Sequence, residues 1–183
     1  MDKERLLQII EKFKGKKILV LGDVMLDKYI WGEVTRISPE APVQVVNVLK
    51  ESYAPGGAAN VATNISALNG NVFMVGIVGN DEANKILLNE LQKYNVNVDG
   101  IFIDNKKPTV QKVRVIGRGQ QLLRFDYEEK GYVDKGAEFS ILSFIEKNLE
   151  NFDVIAISDY AKGVITKNLM KHWKKYARKI INW

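Results

Sequence analysis

Short apolar runs alternate with amphipathic segments along this chain. Three runs are continuously apolar and only a few residues long, which is typical of parallel strands covered on both faces: 17–22, 72–78 and 154–157. Apolar residues recur at helical spacing in four segments between or before them: 2–14 with Asp2 as N-cap, 58–68, 82–94 and 137–149. This order of strands and helices predicts an α/β domain with a mostly parallel sheet flanked by helices.

Two stretches depart from this pattern. Residues 29–48 and 109–127 contain segments in which apolar and polar side chains alternate. Alternation indicates strands with one solvated or ligand-facing side. We therefore expect a small antiparallel sheet that projects from the main α/β layers. Its outer face is expected to carry the apolar side chains of Ile30, Trp31, Val43 and Val45.

Composition places the chain in an ordinary class. It has 183 residues, enough for one domain, and no cysteine, which excludes disulfides and thiolate metal sites. No apolar run approaches the roughly 18 to 20 residues of a membrane-spanning helix. The first five residues are of mixed charge, unlike a signal peptide. These features predict a cytoplasmic protein without a membrane partner.

The net charge of +5 comes from one segment. Six basic residues and no acidic residue lie between Lys167 and the C-terminus, so the remaining residues carry −1. This segment has helical spacing, and its cations are interpreted as the solvated face of a helix that packs on the sheet. A patch for nucleic acid or another acidic partner is the alternative. Residues 179–183 are predicted to begin a further strand.

Several kinds of site are missing from the sequence. It contains neither the G-x-x-x-x-G-K-[ST] phosphate loop nor the G-x-G-x-x-G dinucleotide turn. The single histidine, His172, lies among lysines on the last predicted helix. This placement argues against a serine–histidine triad and against a histidine-bound zinc ion.

Candidate binding residues cluster where predicted strands end. Gly56 and Gly57 open a helix of small residues, with Asn60 one turn further on, and they either admit a ligand to free N–H groups or form a tight turn. Asp23 and Asp27 follow the first strand, where each carboxylate either accepts sugar hydroxyls or caps a turn. A third candidate segment follows the last strand: Ser158-Asp159-Tyr160-Ala161-Lys162-Gly163.

A cationic hairpin is the fourth candidate. Lys112 and Arg114 are two residues apart and therefore share a strand face. Arg118 and Arg124 flank the turn that contains Gln120. Guanidinium groups bind phosphate oxygens in pairs, so the hairpin favours a phosphorylated polar ligand, with a charged outer face as the alternative.

Together these segments resemble the ribokinase (PfkB-type) carbohydrate kinases. The resemblance rests on Gly22-Asp23-x-x-x-Asp27, Gly56-Gly57-x-x-Asn60 and Val75-Gly76-x-x-Gly79-x-Asp81 in the family's order. A finer resemblance is to the heptose-7-phosphate kinase branch, the kinase portion of the bifunctional enzymes of ADP-heptose synthesis. It rests on four strings: Gly22 to Tyr29, Arg36 to Val43, Arg118 to Arg124 and Ser158 to Gly163, the last with Ala161 where the branch has glycine.

The resemblance implies a fold and a set of roles. It implies a three-layer α/β/α core, incomplete at the C-terminus, across residues 1–183, and a β-sheet lid with strands within 29–48 and 109–127. Asp27 with Gly56, Gly57 and Asn60 would hold sugar hydroxyls. Lys112, Arg114 and Arg124 of the lid would bind the 7-phosphate, and Gln120 of the same hairpin would be a further substrate-binding residue. Asp159 and Lys162 would face the pocket from the last core strand.

The resemblance also implies a reaction. ATP with Mg²⁺ would phosphorylate D-glycero-β-D-manno-heptose 7-phosphate at its anomeric hydroxyl. The family's Gly-Ala-Gly-Asp motif, which carries the catalytic base, does not occur in this sequence. The base and the nucleotide site are expected beyond residue 183, so the chain by itself is expected to be inactive and to bind no nucleotide strongly.

Two other hypotheses stay open. One is a non-enzymatic sugar-phosphate-binding protein derived from a sugar kinase. The other is a nucleic-acid-associated module that uses the basic helix, which would bind in a strongly salt-dependent manner. The resemblance favours the kinase, a small-molecule sugar phosphate as its partner, and a homodimer formed through the lid.

Overall fold

The computed structural model describes the backbone of residues 2–180 and the side chains up to Trp173. The basic side chains from Lys174 onward therefore lie outside the described residues, as do residues 181–183. Lys179 and Ile180 belong to the last helix, so the strand predicted to begin at Lys179 does not include them.

A parallel sheet forms the centre of the domain, in the order β5-β4-β1-β8. Its strands are β1 (Lys17–Gly22), β4 (Asn71–Gly79), β5 (Asn97–Asp104) and β8 (Val154–Ser158). The three strands predicted from apolar runs are confirmed. Strand β5 escaped prediction because it is an edge strand whose first half carries Asn97, Asp99 and Gly100, residues that are depleted in strands.

Helices cover both faces of this sheet. Their bounds are α1 (Lys3–Glu11), α2 (Ala58–Ala67), α3 (Glu82–Lys93), α4 (Lys135–Asn148), which a short 3₁₀ turn (Leu149–Asn151) follows, and α5 (Lys167–Ile180). Leu87 of α3 packs in one apolar cluster with Val20, and Ile141 of α4 packs in a second cluster with Leu19. Adjacent residues of β1 thus serve opposite layers, as expected for a strand buried on both faces.

A second sheet has the order β3-β2-β6-β7. Its strands are β2 (Val24–Ile37), β3 (Gln44–Gly57), β6 (Gln111–Gly117) and β7 (Gln120–Tyr127). Strands β2 and β3 extend beyond the predicted range of 29–48. The pair β2–β6 is parallel, which corrects the expectation of a wholly antiparallel sheet. These two strands are joined through the core elements, and a long crossover connection permits parallel pairing.

The second sheet has one polar and one apolar face. The polar face carries Asp27, Tyr29 and Trp31 of β2, with Lys112 and Arg114 beside them on β6. The apolar face carries Ile30 and Val113, and from β7 Leu123, Phe125 and Tyr127.

Trp31 was expected on the same face as Ile30. This expectation was wrong, because consecutive residues of a strand point to opposite sides. The Trp31 ring stacks with Tyr29, at 6.1 Å between ring centroids, and its Nε1 donates to Ser52 Oγ at 3.0 Å.

Among the described helices, none combines the length and the apolar character that crossing a membrane requires.

A buried carboxylate joins the two sheets. Asp23 lies between β1 and β2 and is 1% exposed. Its side chain accepts the backbone N–H groups of Tyr160 and Lys162 at Oδ2, at 2.7 and 3.1 Å, and of Val164 at Oδ1, at 3.1 Å. Its backbone carbonyl accepts the N–H of Ala58 at 2.9 Å. Asp23 therefore holds both the loop after β8 and the first residue of α2 in position.

Replacing Asp23 with alanine leaves three N–H groups without acceptors, one of them buried and two partly buried. We expect Asp23→Ala to lower the free energy of unfolding by about 3 kcal/mol or more. Urea denaturation measures this, with Asp99→Ala as the control on an exposed carboxylate. A loss below about 1 kcal/mol would show that water replaces the carboxylate.

Asp153 makes a smaller junction where β1 and β8 begin. Its Oδ2 accepts the N–H of Lys17 at 2.8 Å, and its Oδ1 contacts Lys16 Nζ at 3.0 Å. The hydrogen bond from Lys17, followed by that from Lys16, lowers the pKa of Asp153. A lowered pKa means that the carboxylate stabilises the fold above the unfolded value of about 3.9. This contribution disappears as the pH falls through the lower folded pKa.

For Asp153→Asn we expect a lower melting temperature than that of the unaltered protein at pH 7. The difference should shrink below about pH 4, where the carboxylate becomes protonated. Melting curves recorded by circular dichroism between pH 2.5 and 7 measure it. A difference that is independent of pH would assign the effect to packing instead of charge.

Candidate functional site

The candidate site lies where β1 and β8 end, beside the base of the second sheet. Asp27 Oδ1 contacts Arg114 Nη1 at 2.6 Å, and both side chains are about one-fifth exposed, at 20% and 22%. The hydrogen bond that Arg114 donates to Asp27 is the main cause of the raised pKa of Arg114, and it outweighs burial, which lowers that pKa. The structure thus joins the predicted sugar-binding carboxylate to a predicted phosphate-binding cation.

The glycine pair lies directly against this carboxylate. A Cβ atom at Gly56 would stand 2.8 Å from Asp27 Oδ2, so a larger residue would displace the carboxylate. Gly57 has φ +55°, a left-handed conformation that favours glycine, and precedes the first residue of α2. Asn60 is exposed one turn into that helix. Gly56 therefore lies against Asp27, and Gly57 forms the tight turn that was the alternative.

Two cations of the second sheet, Lys112 and Arg124, share the carboxylate of Asp126. Asp126 Oδ2 contacts Lys112 Nζ at 3.0 Å, and Asp126 Oδ1 contacts Arg124 Nε at 3.1 Å. Burial by itself raises the pKa of Asp126, but the hydrogen bond and charge of Lys112, together with Arg124, lower it. Arg114 and Arg124 are directly opposite each other on neighbouring strands. Lys112, Arg114 and Arg124 therefore form one cationic row, each with a carboxylate partner.

Aromatic rings extend the polar face beyond this row. The guanidinium carbon of Arg114 lies 5.3 Å from the centre of the Tyr29 ring, within the range of a cation–π contact. Trp31 in turn stacks with the Tyr29 ring. Arg114 is thus held both by Asp27 and by an aromatic surface.

Two residues of the cationic hairpin lie away from Asp27. Gln120 pairs with Gly117 at the far end of the hairpin, five residues along β6 from Lys112, which is roughly 16 Å in a strand. Arg118 donates from Nε and Nη2 to the carbonyl of Val34, at 3.1 and 2.7 Å, and so fastens the hairpin to β2. The structure does not bring Gln120 to the other predicted binding residues.

The loop after β8 contributes through its backbone. Asp159 is exposed, and its side chain accepts the N–H of Ala161 at 2.8 Å. Lys162 Nζ contacts Glu128 Oε2 at 2.6 Å, which connects this loop to the chain that leaves β7. Lys162 therefore links the core to the second sheet, while Asp159 shapes its own turn.

Sequence reasoning missed the carboxylates that pair with these cations. Asp126 and Glu128 received no role, and neither did Tyr29. One signal was available, since Arg124 and Asp126 are two residues apart on a strand and must share a face. The strand register that sets Asp126 opposite Lys112 was not available from the sequence.

The described carboxylates do not suit a magnesium site. Among residues 2–173, no three histidine, cysteine, aspartate or glutamate side chains come together in a metal-binding group. Asp23 accepts hydrogen bonds from backbone N–H groups, and Asp27 and Asp126 form ion pairs with cations. A divalent ion would therefore have to displace existing partners.

Comparison with known proteins identifies relatives over nearly the whole chain. Residues 15–181 match the family described as pfkB family carbohydrate kinase. The curated relative "Bifunctional protein HldE" of Desulfatibacillum aliphaticivorans is 41% identical over 169 residues, covering 92% of this chain and 35% of the relative. The protein of the same name from Helicobacter hepaticus is 46% identical over 165 residues, covering 90% and 34%. The chain thus spans about a third of the length of these relatives.

The fold is also found among solved structures. A carbohydrate kinase from Agrobacterium tumefaciens superposes with a TM-score of 0.65 at 20% sequence identity, covering 90% of this chain and 50% of that one. This likeness confirms the ribokinase-like α/β fold class expected from the sequence. From the match over residues 15–181 and the identity to curated relatives, the chain belongs to the pfkB family of carbohydrate kinases.

Proposed function

We propose that this chain forms the sugar-phosphate-recognising part of a kinase that phosphorylates D-glycero-β-D-manno-heptose 7-phosphate at its anomeric hydroxyl, a step in ADP-heptose synthesis. The observation that carries the proposal is the contact between Asp27 and Arg114, at 2.6 Å, beside the Gly56-Gly57 turn. It sets an acceptor for hydroxyl groups next to a row of cations. The strings that resemble heptose-7-phosphate kinases and the relatives named HldE support this choice of sugar.

The dimensions of the polar face suit such a ligand. Asp27, Lys112 and Asp126 are register partners on three successive strands, so β2 and β7 are about 10 Å apart. A seven-carbon sugar with a terminal phosphate has a comparable length. Asp27, with the backbone at Gly56 and Gly57 and the amide of Asn60, would bind hydroxyls at one end. Lys112 and Arg124 would bind the phosphate at the other end, and Arg114, which contacts Asp27, would lie between the two groups.

ATP would be the phosphoryl donor, as the family's activity implies. Asp23, Asp27 and Asp126 already have partners, so none of them is assigned to Mg²⁺ or to the role of catalytic base. A cytoplasmic location is part of the proposal, since ATP and a soluble sugar phosphate meet there. The chain by itself is proposed to bind the sugar phosphate without transferring a phosphoryl group.

A non-enzymatic sugar-phosphate-binding protein is the second candidate. Both candidates need the same binding residues and differ only in phosphoryl transfer.

Binding is tested first by calorimetric titration of the 183-residue chain with D-glycero-β-D-manno-heptose 7-phosphate. We expect Asp27→Asn to weaken binding at least about tenfold, because hydrogen bonds to a charged acceptor are stronger than those to a neutral one. Asp99→Asn, the same chemical change on strand β5 of the core sheet, should bind like the unaltered chain. Equal affinities for Asp27→Asn and Asp99→Asn would remove Asp27 from the site.

Transfer is tested in the same samples by a coupled assay for ADP formation. Heptose-dependent ADP formation by the 183-residue chain would contradict its proposed inactivity and would favour the kinase over the binding protein. Specific binding with no transfer is the expected result. Absence of any specific binding would count against both candidates.

We also propose that the chain forms a homodimer through the apolar face of the second sheet. Leu123, Phe125 and Tyr127 on this face are 56%, 37% and 51% exposed. Beside them lies an open cavity of about 490 Å³ between the sheet and the start of α3. Burial of apolar side chains of this size is a main source of association energy between subunits.

Leu123→Asp should convert the dimer into a monomer, because a charged side chain would have to lose its hydration in the interface. Sedimentation velocity at micromolar concentration measures the oligomeric state. Ile103→Asp is the matched control, since Ile103 is similarly exposed, at 53%, but lies on β5 of the core sheet. A monomer for the unaltered chain would refute the dimer.

A further inference from the structure

The position of Asp126 suggests more than a structural ion pair. Its Oδ2 accepts a hydrogen bond from Lys112 Nζ at 3.0 Å, and its Oδ1 lies 3.1 Å from Arg124 Nε, an ion-pair contact without a hydrogen bond. The Arg124 Nη2 group also lies 3.4 Å from Oδ2. Asp126 thus presents two anionic oxygens to two cations, which is how part of a phosphate group would contact them.

We propose that Asp126 occupies the anion site of the unliganded protein and is displaced when a phosphate monoester binds to Lys112 and Arg124. This inference rests on the proposed function, because the phosphate is assigned to the cationic row there. It adds one residue, Asp126, whose carboxylate competes with the ligand for Lys112 and Arg124. This competition determines which ligands can bind. A neutral ligand or a weak anion would fail to replace the carboxylate.

The charge balance of the polar face supports displacement. Lys112, Arg114 and Arg124 carry three positive charges, and Asp27 and Asp126 carry two negative charges. The row therefore has an excess of one positive charge while Asp126 is in place. Asp27 remains with Arg114, so movement of Asp126 alone leaves two cations for a doubly charged phosphate.

Solvent access also supports displacement. The Arg124 side chain is 50% exposed, whereas the side chains of Lys112 and Asp126 are 19% and 21% exposed. A phosphate can therefore approach Arg124 from solvent and reach Lys112 from there. Asp126 lies near the end of β7, one residue before Tyr127, where the strand leaves the sheet. Its side chain can turn towards solvent without disturbing the register of the central strands.

The competing explanation is a cross-strand ion pair that stabilises the hairpin. Lys112 and Asp126 are directly opposite each other in the β6–β7 register, as such pairs require. The two explanations predict opposite effects of removing the charge. If Asp126 occupies the anion site, its loss frees two cations and strengthens anion binding. If it only holds the hairpin, its loss weakens the site or leaves affinity unchanged.

The test uses inorganic phosphate as the probe, titrated into the full 183-residue chain at low salt and followed by NMR. For Asp126→Asn we expect phosphate to bind about tenfold more tightly than to the unaltered chain, because one unit charge near the ligand is removed. Asp99→Asn removes the same charge at strand β5 of the core sheet and should change the affinity less than twofold. Adding Lys112→Gln to Asp126→Asn should abolish the gain.

A second neutral variant, Asp126→Thr, guards against misfolding, since threonine suits a strand. Melting curves establish whether each variant folds. A folded Asp126→Asn or Asp126→Thr that binds phosphate no more tightly than the unaltered chain would overturn the proposal. Unfolding of both variants would also overturn it, because Asp126 would then serve the hairpin.

Parallel titrations with heptose 7-phosphate and with the unphosphorylated heptose separate this proposal from the proposed function. Asp126→Asn should strengthen binding of the phosphorylated sugar and leave binding of the unphosphorylated sugar unchanged. If neither sugar binds but the phosphate affinity still rises, the proposed sugar is wrong and the role of Asp126 stands. Equal strengthening for both sugars would contradict displacement by the phosphate.

Discussion

The site depends on one buried carboxylate, that of Asp23. An ionised or polar group with 1% exposure is tolerated only when its hydrogen bonds are made, and Asp23 makes three to the loop after β8. Its carbonyl also accepts the first N–H of α2. The end of β1, the start of α2 and the loop that carries Asp159 and Lys162 are therefore fastened at one point. The proposed hydroxyl-binding residues Asp27, Gly56 and Gly57 lie within a few residues of that point, on β2 and at the start of α2.

The second sheet begins at the same point. Because side chains alternate along its strands, one face is polar and the other apolar, and each face has its own proposed role. Side chains of one parity along β2 and β6 form the polar face, with Asp27 and Arg114 in contact at 2.6 Å. Those of the other parity form the apolar face, which includes Ile30 and Val113. A single strand can thus contribute to a ligand site and to an association surface, because its side chains point to opposite sides. The proposed binding and the proposed dimer are properties of the same four strands.

Much of the fold could be predicted because it depends on local patterns. The continuous apolar runs of β1, β4 and β8 were sufficient to identify parallel strands, and Asp2 was correctly identified as the cap of α1. Strand β5 was missed because its first half carries Asn97, Asp99 and Gly100, residues that are depleted in strands. The parallel β2–β6 pair was missed because pairing between strands that are distant in sequence leaves no local signal. The candidate site was likewise predicted only in part: candidate residues were named, but the ion pairs that they form were not.

By itself, the sequence determined which residue types are present and, through two-residue spacing, which neighbouring side chains share a strand face, such as Lys112 and Arg114. Asp27, the two glycines with Asn60, and the cationic row were recognisable because short spacings carry this information. Only the tertiary structure decided the partners: Arg114 for Asp27, Lys112 and Arg124 for Asp126, and Lys162 for Glu128. It also separated Gln120 from the remainder of the site. The physical reason is that ion pairs form across only a few ångströms, and those distances are set by strand register and loop closure.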